Sequence, residues 1–320
     1  MFVFIVSCTD LKKPVNIKEY YCEPDTTIRL YSDSSFFGHL SCMQYFNDKI
    51  YALDTKRKDI AVFNEAFDSI SFIGKQGHGP GEFSSIYPPL YIHNDTLDVM
   101  ERRGFSRFYK GRYIDLIRLP VKEGGRFAYR SGKYYLPHSM PASIFVVAPA
   151  VMDFNPDSLI YGGSPVNFND KIRTVHSNHR HLLIDEKYFY LISYNLPIIE
   201  KYDINTLELV SSFNISDIPV IQQNLEYAQK LSLPPNAYYN SVRDGYIFED
   251  ILYLLSGTPP GADENNSSIV RISLYPEMKA LDVLTFKGNH TTFCVSPNYI
   301  FTFCDPCECI TRLKKLKSDE

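Results

Sequence analysis

The densest concentration of reactive side chains in this 320-residue sequence is Cys304-Asp-Pro-Cys-Glu-Cys309, three thiols within six residues. A C-x-x-C-x-C run can hold a soft metal ion, cycle between thiol and disulfide, or staple a tight hairpin. The second cysteine pair of a four-thiolate zinc site is absent, and no strand-helix-strand pattern surrounds the motif. In an exported protein the expectation is a local disulfide between Cys304 and Cys309 across the hairpin, leaving Cys307 for Cys294 or Cys22. A second concentration is His176-x-x-His179-x-His181. In a strand His179 and His181 share a face and His176 points the other way, so at most two could ligate one ion. No carboxylate completes a set at a recognisable spacing, so they are read as structural histidines and neither a metal nor a cofactor is expected. No Ser nucleophile elbow, H-E-x-x-H or calcium-binding loop is present, and no catalytic residue is assigned.

The elements that must position these groups follow from composition and repeats. The chain has 24 Tyr and 22 Phe but no Trp, with 44% hydrophobic and 22% charged residues. Low-complexity disorder, collagen-like repeats and a disulfide scaffold are excluded by this balance, with 16 Gly, 20 Pro and seven Cys. A net charge of −4 supplies no basic face for nucleic acid. No stretch reaches the ~18 uninterrupted apolar residues of a spanning helix. Length alone, at about 150 residues per domain, suggests two domains, although closed all-β folds exceed that size as one unit. The Tyr and Phe excess leans toward strands.

One pattern recurs six times: a polar turn, a short aromatic or aliphatic strand, a polar connector and a second short strand. The copies are 47–54 with 60–63, 94–100 with 106–109, 131–136 with 144–147, 185–191 with 198–202, 249–255 with 269–272, and 297–303 with 310–313. Successive starts differ by 47, 37, 54, 64 and 48 residues, the period of a propeller blade. Each copy supplies strands b and c of a four-stranded blade, with a and d in the flanking runs, as at 69–73. The sixth copy ends soon after its strand c, so the unassigned segment 26–31 is expected to complete it and remove an exposed edge. Segment 217–233 departs from the pattern. Ile221, Leu225, Ala228 and Leu231 recur at helical spacing, with Asp217 as cap, Pro219 in the first turn and Pro234-Pro235 as the stop. The expected fold is all-β, a six-bladed β-propeller over 25–320 with a short helical insertion between blades four and five.

Met1-Phe-Val-Phe-Ile-Val-Ser-Cys8 is apolar up to a small residue and a cysteine, then turns polar. Ile-Val-Ser-Cys resembles the bacterial lipobox, which implies that Cys8 carries a lipid and becomes the first mature residue. Only seven residues precede it and none is Lys or Arg, so 1–8 is read as the remnant of a longer signal and 9–24 as a tether. Phe72-Ile-Gly-Lys-Gln-Gly-His-Gly-Pro-Gly-Glu-Phe83 resembles the Gly-rich crossover between blades in NHL-type six-bladed propellers. A phosphate loop is excluded because no Lys-Ser or Lys-Thr follows and the next segment carries Pro88-Pro89, not a helix. Its glycines are read as turn residues that permit positive φ. As a whole the chain is similar to the TolB-like, six-bladed propeller lipoproteins of Bacteroidetes. That resemblance implies a lipid-anchored place in the cell envelope, at the outer membrane or in the periplasm, and no shared catalytic residues.

In a four-stranded meander the b-to-c and d-to-a connections share one face of the disc. That face gathers Arg57, His78, Arg102, Arg103 and His138, together with the helical insertion, and loops on rigid scaffolds commonly carry binding. These five residues are the candidate ligand contacts, the arginines for an acidic group. The expected function is a monomeric binding module for a protein, peptide or glycan, attached to membrane through lipid only. The alternative is an envelope glycan lyase or hydrolase with His and Tyr around the central channel. The rings that recur in the b strands, at Tyr51, Tyr134-Tyr135, Tyr188-Phe189 and Tyr299 with Phe301, are read as packing between blades.

Overall fold

The structure is a computed structural model that describes residues 17–32, 35–101, 104–118, 125–151, 155–261 and 265–316. Cys8, the signal remnant 1–8, Arg102 and Arg103 lie outside the described residues.

The polar dipeptides that open the repeats are hairpin turns. Asn47 and Asp48 have φ of 47° and 59°, and Asn94 and Asp95 have 45° and 60°. Two consecutive left-handed residues make the two-residue turn whose twist matches paired strands, and Asn and Asp tolerate that region best among residues with a Cβ.

These turns join strands a and b of six four-stranded antiparallel sheets. Blade 1 is Leu40–Phe46, Lys49–Asp54, Asp59–Asn64 and Ile70–Ile73. Blade 2 is Ile86–His93, Thr96–Glu101, Gly104–Tyr109 and Arg112–Ile117. Blade 3 is Ala128–Arg130, Lys133–Met140, Ser143–Pro149 and Ile160–Gly162. Blade 4 is Arg180–Ile184, Tyr188–Ser193, Ile198–Asp203 and Leu209–Asn214. Blade 5 is Asp244–Phe248, Ile251–Gly257, Asn266–Ser273 and Lys279–Lys287. Blade 6 is His290–Val295, Tyr299–Cys304 and Cys309–Lys314, and its fourth position is taken by Thr26–Ile28, with Thr27 opposite Thr311.

The period of two along each b strand builds the core. Tyr134 packs toward blade 2 and its neighbour Tyr135 toward blade 4; Phe189 and Leu191 face blade 3 while Tyr190 and Ile192 face blade 5. Each blade is therefore buried on both sides, and the apolar clusters form a ring closed where blade 6 meets blade 1 through Phe293, Phe301, Phe37 and Phe63.

Three features of the chain differ from the sequence reading. The tether expected over 9–24 is partly strand: Lys18–Tyr21 adds to the outer edge of blade 5, parallel to Lys279–Lys287, and the Cys22 amide donates to Thr285 O at 2.7 Å. That edge offers unpaired backbone groups, and the segment satisfies them. A second helix, α1 (Lys171–His176), precedes blade 4; its N-cap is Asp170, whose carboxylate accepts from the Arg173 amide. The insertion between blades 4 and 5 is α2 (Pro219–Lys230), whose N-cap is Ile218 with no side-chain hydrogen bond, so Asp217 does not cap it. Asn224, fully buried, anchors α2 by donating to Gly257 O at 2.7 Å and Ser256 Oγ at 3.2 Å. No helix among the described residues is long and apolar enough to cross a membrane.

Candidate functional site: a channel mouth closed by an arginine brace

The inner a strands surround a central channel, and one side chain crosses it. Arg126, at the start of blade 3, donates to both carboxylate oxygens of Asp244 in blade 5, at 2.5 and 2.7 Å. It also donates to Met43 O of blade 1 at 3.1 Å and to Phe293 O of blade 6 at 2.9 Å. Asp244 accepts further from Thr292 Oγ1 at 2.7 Å and from the Phe293 amide at 3.2 Å. Both charges are buried, and the desolvation of the pair is offset by four hydrogen bonds from the guanidinium and by the further donors to the carboxylate. Burial alone would raise the Asp244 carboxyl, but Arg126 holds it below the usual range. His181 of blade 4 completes the ring. Its Nδ1 accepts from the Arg126 amide at 3.3 Å and its Nε2 donates to Arg243 O at 3.1 Å, which fixes the neutral tautomer. Burial lowers its pKa to about 4.

The brace divides the channel. On the face of the b-to-c and d-to-a loops the described residues leave a 100 Å³ recess over the brace, bordered by Pro88, Tyr194 and Arg243. On the opposite face a mouth of 630 Å³ opens among the a-to-b turns. It shares Tyr91, Ile184 and Ile247 with a 150 Å³ inner recess that ends at Arg126.

The walls of this mouth come from four blades. Tyr91 belongs to strand a of blade 2, and burial raises its hydroxyl pKa to about 12. Tyr129 and Arg130 end strand a of blade 3; one face of the Tyr129 ring is covered by His93, stacked at 3.9 Å. The turn of blade 4 supplies Asp185, Glu186 and Lys187, and that of blade 5 supplies Glu249 and Asp250. Asp185 works internally: it accepts from the Lys187 and Tyr188 amides, both at 2.7 Å, from Tyr190 OH at 2.6 Å and from Tyr275 OH at 2.7 Å. Burial opposes its ionisation, but these donors outweigh that and hold the carboxyl below the usual range. They also pin Tyr275 in the wall. Behind it the Lys201 ammonium lies 3.9 Å from the Tyr188 ring centroid and 4.7 Å from that of Tyr275, a cation held against aromatic faces. Glu186, Glu249 and Asp250 are exposed at the rim. Four carboxylates against two cations make the mouth acidic, and three tyrosines give it apolar area with polar tips.

Of the candidate contacts read from the sequence, Arg57, His78 and His138 are described, and none of them lines the mouth. Arg57 is engaged in its own blade, bidentate to Asp59 with its Nη2 at 2.9 Å and lying over Phe72 at 5.3 Å. His78 is exposed on the crossover between blades 1 and 2. His138 is half-buried on strand b of blade 3 against Tyr161, 5.3 Å between ring centres, and burial lowers its pKa.

The three clustered histidines stay near one another, His176 edge-on to His179 with 5.8 Å between ring centres and both His179 and His181 against Tyr194, but they do not converge on one point. His176 ends α1 and is not in a strand; His179 Nδ1 lies 2.6 Å from Tyr238 OH; His181 is consumed by the brace. Near the C-terminus, the disulfide joins Cys304 to Cys307, and Cys309 is a free buried thiol, contrary to the expected Cys304–Cys309 pairing. The turn brings the Cys304 and Cys307 Cα atoms to 5.6 Å, within disulfide range, so the nearer of the two partners along the turn is the one bonded. Cys22 and Cys294 are free as well, so neither pairs with Cys307.

Tyr91, Tyr129 and Tyr275 carry no motif, and Glu249 and Asp250 are read from the sequence only as the polar turn that opens the fifth repeat. The one signal that could have singled them out is positional: they sit at a-strand ends and at the connections of the face opposite the long loops.

Comparison with known proteins places the fold. No curated protein matches the sequence. An exported-type protein of Bacteroides fragilis superposes with a TM-score of 0.62 at 12% identity, covering 94% of this chain and 99% of that one. Virginiamycin B lyase of Staphylococcus aureus superposes with a TM-score of 0.51 at 11% identity, covering 91% and 99%. At these identities the likeness is one of architecture. The DUF5128 family model, described as a 6-bladed beta-propeller, matches residues 27–228, more than half of the sequence, and the chain belongs to that family.

Proposed function

We propose that this propeller is a non-enzymatic binding module of the cell envelope, anchored through lipid on Cys8, which takes a peptide or glycan segment in the acidic, tyrosine-lined mouth. The observation that carries this reading is the asymmetry created by Arg126. A plugged channel passes nothing, yet the plug leaves a rigid blind pit of 630 Å³ on one face, within the usual range of small-molecule and peptide sites. Its rim favours neutral or cationic ligands, because an anion would meet Glu186, Glu249 and Asp250 without a compensating free cation beyond Lys187 and Arg130. The likeness to a B. fragilis protein ascribed to export supports an envelope location.

Arrays of neutral and acidic oligosaccharides and of basic and acidic peptides test the reading. Binders should be neutral or basic, and Tyr91→Ala or Glu249→Lys should weaken them about tenfold or more, the usual scale for a buried aromatic or a reversed rim charge. Binding that survives both changes but is lost in Arg57→Ala, His78→Ala or His138→Ala would return the site to the opposite face. Lipid attachment is read from incorporation of a fatty-acid analogue, which Cys8→Ala should abolish.

One contact favours a second reading, an envelope lyase or hydrolase. His179 faces Tyr238 OH at 2.6 Å, and burial lowers its pKa to about 4, leaving a neutral imidazole beside a phenol. Turnover of a polysaccharide that is lost in both His179→Ala and Tyr238→Phe would establish it.

A further inference from the structure

We propose that Cys304, Cys307 and Cys309 form a thiol–disulfide exchange site that presents a free thiol at Cys307 to the groove between blades 5 and 6, where a small disulfide compound captures it. The three sulfurs all lie within 4.8 Å of one another. Cys304 is bonded to Cys307, and Cys309, a free buried thiol, stands directly opposite Cys304 in the strand b to strand c ladder. Residues so paired have Cβ atoms about 4.5–5.5 Å apart, at the edge of what a disulfide needs. Two partners therefore compete for one sulfur.

The exchange balances within the chain. The Cys309 thiolate attacks Cys304 Sγ; the Cys304–Cys309 bond forms as the Cys304–Cys307 bond breaks, and Cys307 leaves as a thiolate. The proton lost by Cys309 is taken up through solvent by Cys307 when it protonates, so neither oxidant nor reductant is required. The two pairings differ in where the free sulfur lies. At Cys309 it is buried; at Cys307 it is half-buried in the wall of a 500 Å³ groove bordered by Tyr21, Asn266, Lys287 and Asn289. Lys287 on that wall favours the thiolate form. A thiolate there attacks a small disulfide R–S–S–R, forming Cys307–S–S–R and releasing R–S⁻.

The turn is held at both ends while Cys307 changes partner. Asp305 lies 2.6 Å from His39 Nδ1, and Glu308 lies 3.2 Å from Lys56 Nζ, both on the blade 1 side. A soft cation on three thiolates is the competing use of this cluster. The Cys304–Cys307 bond favours exchange, since two of the three sulfurs are already oxidised.

The test treats the folded protein, purified without added thiol, with iodoacetamide and separately with oxidised glutathione. Cleavage before Asp305 and after Glu308 then places each cysteine on its own peptide. Expected is label, or one glutathione, at Cys307 with a Cys304–Cys309 disulfide retained, about tenfold or more above the level in Cys309→Ser. Label confined to Cys309 with Cys304–Cys307 intact would overturn the proposal, as would stoichiometric zinc with all three thiols protected until chelation. Cys307→Ser guards against misfolding of the first variant. Treated with oxidised glutathione, it should form a Cys304–Cys309 bond with release of two reduced glutathiones, and two free thiols there would count equally against exchange.

Discussion

Arg126 is the side chain on which the interior depends. It reaches three other blades, and removing it would leave the buried Asp244 charged and without its counter-ion. Arg126→Met should cost about 3–5 kcal/mol, read as a lowered urea midpoint, whereas replacing both partners by apolar residues should recover part of that loss. Arg57→Ala, which breaks a partly exposed pair with Asp59, should cost no more than about 1 kcal/mol.

Buried histidines set a second dependence. His179, His181 and His290 all have folded pKa values lowered to about 4 by burial, against an ordinary 6.5. Their neutral forms are the ones the fold holds, so their contribution is complete above pH 6.5 and is lost as pH falls toward 4. Unfolding at pH 5 should therefore take up about three protons, measured as the slope of unfolding free energy against pH. A flat profile between pH 6.5 and 4.5 would mean that these rings are solvated. None of this is legible in sequence. His176, His179 and His181 remain neighbours, with His176 edge-on to His179 and Tyr194 against both His179 and His181, yet their hydrogen bonds diverge, because the partners of His181 come from residues 55 and 62 positions away and His179 turns to Tyr238.

At the scale of elements the sequence is far more readable, because periods of two and polar turns are local. All six b and c strands lie within a few residues of where the repeats place them, and the Gly-rich string is the crossover between blades 1 and 2. Its glycines have two different causes. Gly74 and Gly81 have φ of 74° and 76°, whereas Gly77 is needed for space, since a Cβ there would stand 2.1 Å from Glu82 Oε2. That carboxylate accepts from the His78 and Gly79 amides at 3.1 and 3.0 Å and faces Lys75, so the turn is wound around Glu82. Glu82→Ala should loosen the crossover and raise hydrogen exchange at 75–82 without moving the blades.

The strand Thr26–Ile28 matters more. It covers the edge of blade 6, and Arg312 clasps it to Asp25 while donating to Glu65 O of blade 1 at 2.6 Å. Deleting residues 1–28, compared with deleting 1–22 so that Lys18–Tyr21 is lost from both, exposes that edge, and the expected outcome is a lower melting temperature with concentration-dependent association in light scattering. A chain without 1–28 as stable and as monomeric as the one without 1–22 would deny the strand this role. The parallel strand Lys18–Tyr21 was not legible, since its polar, half-exposed residues carry no alternation and only the blade 5 edge calls it into place.

For the whole molecule, topology sorts the connections onto two faces, and the sequence directs attention to the face with the long loops. Among the described residues the central channel points the other way, because the recess over Arg126 on that face is 100 Å³ and the mouth on the other is 630 Å³, although the groove beside Cys307 lies on the long-loop face. The aromatic excess divides in the same way. Rings in the b strands, such as Tyr134 and Phe189, pack between blades, and Tyr91, Tyr129 and Tyr275, off those positions, line the mouth. Hydrogen–deuterium exchange of the protein with and without its strongest array ligand examines this most directly. A ligand in the mouth protects 184–188, 247–250 and the surroundings of Tyr275 and leaves 55–58 and 74–85 unchanged. Protection confined to those last two segments would contradict a site in the mouth.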